Sequence, residues 1–194
     1  MVDAWLRVVQ WLHENAAATW SVLAPPGAAV VAPRWATLQP WFEVQGGVDR
    51  DPRGGVLFGY WPLSAAEAED WAGTISSNIA TWGEWAVEEF GDGDALVPIA
   101  EGGSSTLLVV DLRTGIDAGA VKELDWEDPS TLRVARWAGV EDMLDDLVRC
   151  LETLLASRAL PVRPVVTGGL LTWVAHLPAP PPPAETSPTA SELA

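Results

Sequence analysis

Apolar residues at three- and four-residue spacing open the chain: Trp5, Val8, Val9, Leu12, Ala16, Trp20 and Leu23. That period predicts one helix face over Asp3–Leu23, with Asp3 offered as its N-cap. Pro25-Pro26-Gly27 ends it. Residues 28–55 carry Pro33, Pro40 and Pro52 with Gly46, Gly47, Gly54 and Gly55, which forbid a long regular element. One helical turn over Arg34–Leu38 fits there, and Val56–Trp61 reads as a strand. Ser64-Ala65-Ala66-Glu67 has the spacing of a capping box, with Leu63 placed as a hydrophobic staple. Trp71, Ile75, Ile79, Trp82, Ala86 and Phe90 then continue a helix over Ser64–Phe90, and Gly73, Ser76-Ser77-Asn78 and Gly83 predict a break near Ser77.

The pattern then changes to runs of β-formers between glycine-rich turns. Leu96–Ala100, Thr106–Leu112 and Val121–Trp126 read as consecutive antiparallel strands. Thr131–Trp137 adds a further strand through Asp128-Pro129-Ser130. Val140, Met143, Leu144, Leu147, Val148, Leu151, Leu154 and Leu155 mark a helix over Val140–Arg158, acidic at its start and basic at its end, as the helix dipole favours. Val165-Val166-Thr167 and Leu170–Ala175 form either a small hairpin or a strand and a short helix. From Pro178 the chain has no apolar period and is rich in Pro, Ala, Ser and Thr, so a polyproline-like and then disordered tail over 178–194 is expected. The whole predicts an α+β fold: a mostly antiparallel central sheet of about five strands with helices packed on it.

Charge sharpens the picture. The formal net charge is −16, from 27 acids against 11 bases, and Lys122 is the only lysine. Phosphate backbones are bound by Lys and Arg, so a nucleic-acid partner is disfavoured. An acidic surface instead steers basic proteins or simply keeps the chain soluble. Loop acids Asp92, Asp94, Glu101, Asp117, Glu127 and Asp128 are the candidate partner-binding residues. The chain has 12 Trp, expected mainly at the core or its rim, with one or two in a binding patch as the sharper alternative.

Little catalytic chemistry is legible. His13 and His176 stand in no metal-type spacing, and a single cysteine leaves no internal disulfide. Cys150 shares an apolar face of an acidic helix with Met143, Leu147 and Leu154, a core setting rather than a nucleophile's. Gly102-Gly103-Ser104-Ser105 lacks the Gly-Lys-Ser/Thr ending of a phosphate loop and precedes a strand, where a phosphate loop needs a helix. Asp92-Gly93-Asp94 and Asp125-Trp126-Glu127-Asp128 do not complete a calcium loop's twelve-residue frame. No catalytic residue, metal or cofactor is expected. The start of the chain lacks a basic segment followed by a long apolar run, and no membrane span is visible, so a cytoplasmic protein is expected.

The order of these segments resembles the SMI1/KNR4 family of the SUKH superfamily. The likeness runs over about Gly54–Leu155 and is carried by GGVLFGYWPLS (54–64), the Trp-rich helix, VPIAEGG (97–103), LLVVDLRTG (107–115), the Gly119-Ala120-Val121 strand entry and the Val140–Leu155 helix. The domain so implied spans 1–158, with 159–177 as a C-terminal appendage. Residues 28–55 depart from the family's pattern, which there has an acidic-Leu-Gly helix, a Leu-Pro helix start and an Asn-Gly turn. The resemblance implies a non-catalytic protein-binding module, typically a bacterial immunity protein that neutralises a toxin, often a nuclease. A regulatory scaffold of the same fold without a toxin is the alternative, and an enzyme using acidic loop residues a third.

Overall fold

A computed structural model describes residues 1–27, 29–49, 54–91, 93–103 and 105–176. The expected Pro-rich tail and Asp92 lie outside the described residues. The α+β expectation holds. The described helices are α1 (Val2–Asn15), α2 (Ala17–Trp20), α3 (Gln39–Val44), α4 (Ala65–Trp82), α5 (Glu84–Phe90) and α6 (Val140–Thr153). A five-stranded antiparallel sheet runs in sequence order through β1 (Tyr60–Pro62), β2 (Leu96–Gly102), β3 (Thr106–Asp111), β4 (Val121–Asp125) and β5 (Ala135–Trp137). A separate hairpin pairs β6 (Val162–Thr167) with β7 (Leu170–Ala175).

Alternation along the central strands sorts side chains into two cores. Leu107 and Val109 of β3, Leu124 of β4 and Leu96 of β2 pack with Ile75, Ile79, Ala86 and Phe90 of α4–α5. Leu108, Val110 and Val121 face the other way, into a larger core with α1, α3, α6 and the hairpin. A sheet covered on both faces needs apolar residues at successive positions, and β2 is buried almost throughout. That explains why these strands read as runs rather than as clean alternation.

Four of the boundaries that differ from the expected ones have a clear local reason. The first helix divides at Ala16, because the Ala18 amide donates to the Gly169 carbonyl of the hairpin turn (2.9 Å) instead of continuing one helix. The long helix over 64–90 divides at Gly83 rather than near Ser77. Gly83 adopts φ 104° and ψ 175°, a conformation essentially confined to glycine, whereas the Ser77 hydroxyl donates to the Gly73 carbonyl (2.8 Å) inside an unbroken helix. The strand expected over 56–61 shrinks to β1. Phe58 and Gly59 take positive φ, Leu57 bridges back to Tyr60, and the Phe58 ring stacks on Trp137 at 5.0 Å. Only 135–137 of the 131–137 segment is a strand. Pro129–Arg133 instead winds as a 3-10 turn, capped by Asp128 on the Ser130 amide (3.2 Å), and it drives Leu132 into the core.

Asp3 does not cap α1, whose N-cap residue is Met1 with no side-chain cap bond, while the Ser64–Glu67 capping box forms in both directions. Residues 33–44 form a 3-10 turn (Pro33–Leu38) running into α3, and they bury Trp35, Leu38, Trp41 and Phe42. The last helix stops at Leu154 in left-handed conformation, short of Arg158. Of the two readings of 165–175 the hairpin is the one found, and its Leu171 is fully buried in the main core.

Candidate functional site

The antiparallel register gives the central sheet two ends. Leu96, Asp111 and Val121 lie together at one, and Glu101, Leu107 and Leu124 approach the other, about 10–17 Å away along the strands at 3.3 Å per residue. The candidate acids divide between them. Asp94 and Asp117 belong to the first end; Glu101, Glu127 and Asp128 belong to the second.

At the first end the charges pair off. Lys122, only 4% exposed at its side chain, lies between Asp111 (3.0 Å) and Asp117 (3.1 Å). Arg113 closes on Asp111 through its guanidinium (2.6 and 2.9 Å) and its own amide (3.0 Å), and donates to the Glu89 carbonyl. Burial works against the Asp111 charge, but the hydrogen bonds from Arg113 and Lys122 outweigh it and hold the carboxyl below its usual range. Glu89 receives Arg133 in a two-pronged contact at 2.6–3.0 Å, and that contact lowers its pKa. Asp94 lies 3.9 Å from Arg34, and its carbonyl accepts from the Trp35 indole (3.2 Å). A cleft of about 300 Å3 opens here between Arg113, Asp117 and Lys122. Its ionisable groups neutralise one another, which suits loop fixing better than proton transfer.

The second end is aromatic as well as acidic. The Trp71 indole donates to Glu101 (3.2 Å) and stacks on Trp126, with centroids 5.9 Å apart and planes at 27°. Trp82 packs on Trp126 at 5.7 Å. These half-buried rings form a row at the edge of the α4 core, reaching the surface beside Glu101 and the exposed Glu127. Asp128 also has a local duty, since its Oδ1 accepts from the Ser130 hydroxyl (2.5 Å). Sequence reasoning singled out the acids but not the three tryptophans as a unit. Its available signal was the Trp71/Trp82 spacing on one helix face, but their meeting with Trp126 is a tertiary fact.

Away from the sheet ends, Asp146 is fully buried and accepts from Trp137 (3.2 Å), Ser157 (2.7 Å), Arg149 (2.7 Å) and the Arg158 amide (3.1 Å). Burial opposes its charge; the bonds from Ser157, Arg149, Trp137 and Arg158 overcome that and keep its pKa low. Cys150 lies beside it, with the Sγ–Oδ1 distance at 3.9 Å. Burial first, and the Asp146 charge second, push that thiol up to about 11, so it stays protonated at neutral pH. His13 is exposed and packs edge-on against Trp20 at 4.7 Å, and His176 is exposed near the end of the hairpin. Among the described residues, no group of three or more His, Cys, Asp or Glu is placed to hold a metal ion. An apolar groove of about 370 Å3 runs between α1 and the Pro25-Pro26 turn, lined by Trp5, Leu6, Val9, Trp20 and Leu23, and it carries no ionisable side chain. No described helix is long and apolar enough to cross a membrane.

No family model matches the chain, and none of the curated proteins compared with it matches.

Proposed function

We propose that this chain is a non-catalytic protein-binding module whose partner is a basic protein, and that it acts as an immunity-type protein neutralising a toxin such as a nuclease. The observation that carries this reading is the −16 charge together with the surface where Glu101, Trp71, Trp126 and Trp82 come together. Aromatic rings supply contact area at small entropic cost, and carboxylates around them speed encounter with a positive surface and select for it. The SMI1/KNR4-like segment order supports the same class of function. The protonated Cys150 and the mutually neutralised charges around Lys122 weigh against an enzyme. A buried free thiol suits a reducing cytoplasm.

The test is functional. The partner captured from the host, or the product of a neighbouring toxin-like gene, is purified and mixed with this chain. A stoichiometric complex that abolishes the partner's activity is expected. A complex that leaves that activity intact would favour a regulatory scaffold, and measurable turnover by the chain itself would overturn the non-catalytic reading.

A further inference from the structure

Resting on the protein-binding reading, we propose that the cleft beside Trp71 on α4 receives an arginine side chain of the partner. Glu67, Asp70, Trp71 and Thr74 line it at helical spacing, around about 300 Å3. That volume lies at the lower bound for small-molecule pockets and suits a single side chain. Two contacts fix the indole before any partner arrives: its N–H is held by Glu101, and Trp126, itself backed by Trp82, stacks along the ring. A ring already immobilised loses little entropy on binding. Asp70 sits exposed on the cleft wall and presents a carboxylate beside the ring. A planar guanidinium meets both needs at once, stacking on the indole and forking to the carboxylate. A compact, strongly hydrated ammonium meets only the charge.

The molecule already contains the contact in internal form. On α5, Trp85 and Glu89 are four residues apart. The Arg133 guanidinium lies 5.3 Å from the Trp85 ring centroid while gripping the Glu89 carboxylate. On α4 Glu67 stands four residues before Trp71 but its carboxylate holds the Ser64 cap, so the exposed Asp70 beside the ring takes the part that Glu89 plays on α5. Arg34 over Trp35 and Arg113 over Phe90, each at 5.2 Å, show the same preference of this chain for guanidinium on an aromatic face.

Calorimetric titration of the full chain with blocked peptides alternating glycine with arginine, lysine or citrulline tests the proposal. At low ionic strength the arginine peptide is expected to bind about fivefold tighter than the lysine peptide, with the citrulline peptide silent. Asp70→Asn, at an exposed position, should weaken the arginine peptide several-fold. Trp71→Phe should narrow the gap between arginine and lysine, with circular dichroism confirming that it folds. Equal binding of the arginine and lysine peptides, unaltered in both variants, would overturn the arginine cleft and leave a general acidic docking surface standing. Absence of binding by either cationic peptide at low salt would overturn the cleft and the basic-partner reading together.

Discussion

Asp146 shows how one side chain ties distant segments together. Its carboxylate, wholly buried on α6, gathers Trp137 from β5 and the Ser157–Arg158 turn beyond the helix end. Asp146→Asn keeps the shape but takes the counter-charge from Arg149 and leaves Arg158 with Asp142 alone (3.0 Å). The arginines it binds are 34% and 55% exposed, so water compensates part of the loss; a cost of about 1.5–3 kcal/mol is expected, which for a chain this size lowers Tm by about 3–12 °C in a thermal melt. Its folded pKa lies below the unfolded value, so its contribution is present above the ordinary carboxylate pKa of about 3.9 and is lost as pH falls through the folded value. Denaturant titrations below about pH 4 should therefore show wild-type stability falling more steeply than that of Asp146→Asn. Lys122 makes an instructive contrast. Asp111 keeps Arg113 when the lysine is removed, and Asp117 is 40% exposed. Lys122→Met is thus expected to cost less than Asp146→Asn in the same titrations, since an apolar replacement of similar volume fills the site. A larger loss would show that loop 112–120 depends on the lysine alone.

At the scale of elements, a capping box starts α4 and a glycine separates it from α5. Ser64→Ala removes one half of a formed capping box and should cost about 1 kcal/mol. Two glycines of the same region predict opposite signs. Gly83→Ala forces a side chain into a conformation only glycine occupies readily, costing about 1–3 kcal/mol. Gly73→Ala, where a Cβ meets nothing within 4 Å in mid-helix, should stabilise by about 0.5–1 kcal/mol. Chemical denaturation of the three variants measures all of this. The same elements mark what was legible in the chain. The Ser64–Glu67 box, the strands at Leu96, Thr106 and Val121, and the apolar face of α6 were readable because local propensity and tertiary burial agree there. The split at Ala16 was not, because the carbonyl that takes the Ala18 amide belongs to Gly169, far along the chain. Nor was the retreat of the first strand to Tyr60, since VLFG has a strand's composition while Phe58 turns to stack on Trp137 and pack at a tilt against Trp173.

For the whole molecule, the proposed function rests on charge and surface chemistry. The acids were visible as a total and as loop candidates. Their division between two ends of the sheet, and the gathering of Trp71, Trp126 and Trp82 beside Glu101, depend on strand register and helix placement that no local pattern encodes. The tail from Pro178 has few apolar groups to offset the entropy of ordering. Its deletion should leave Tm within about a degree, well below the shift that a loss of ~1 kcal/mol produces. Acidic residues at the Trp71–Trp126 end of the sheet are proposed to bring a basic protein to this chain. Long-range charge acts mainly on association, and at physiological ionic strength it is screened beyond about 8 Å. The direct measurement is the association rate of the purified partner across a range of salt, for the wild-type chain and for Glu101→Arg combined with Glu127→Arg. A wild-type rate that falls steeply with salt, a much slower rate for the reversed pair at low salt, and convergence of the two at high salt are expected. Association rates that are the same for both proteins at every ionic strength would contradict the proposal.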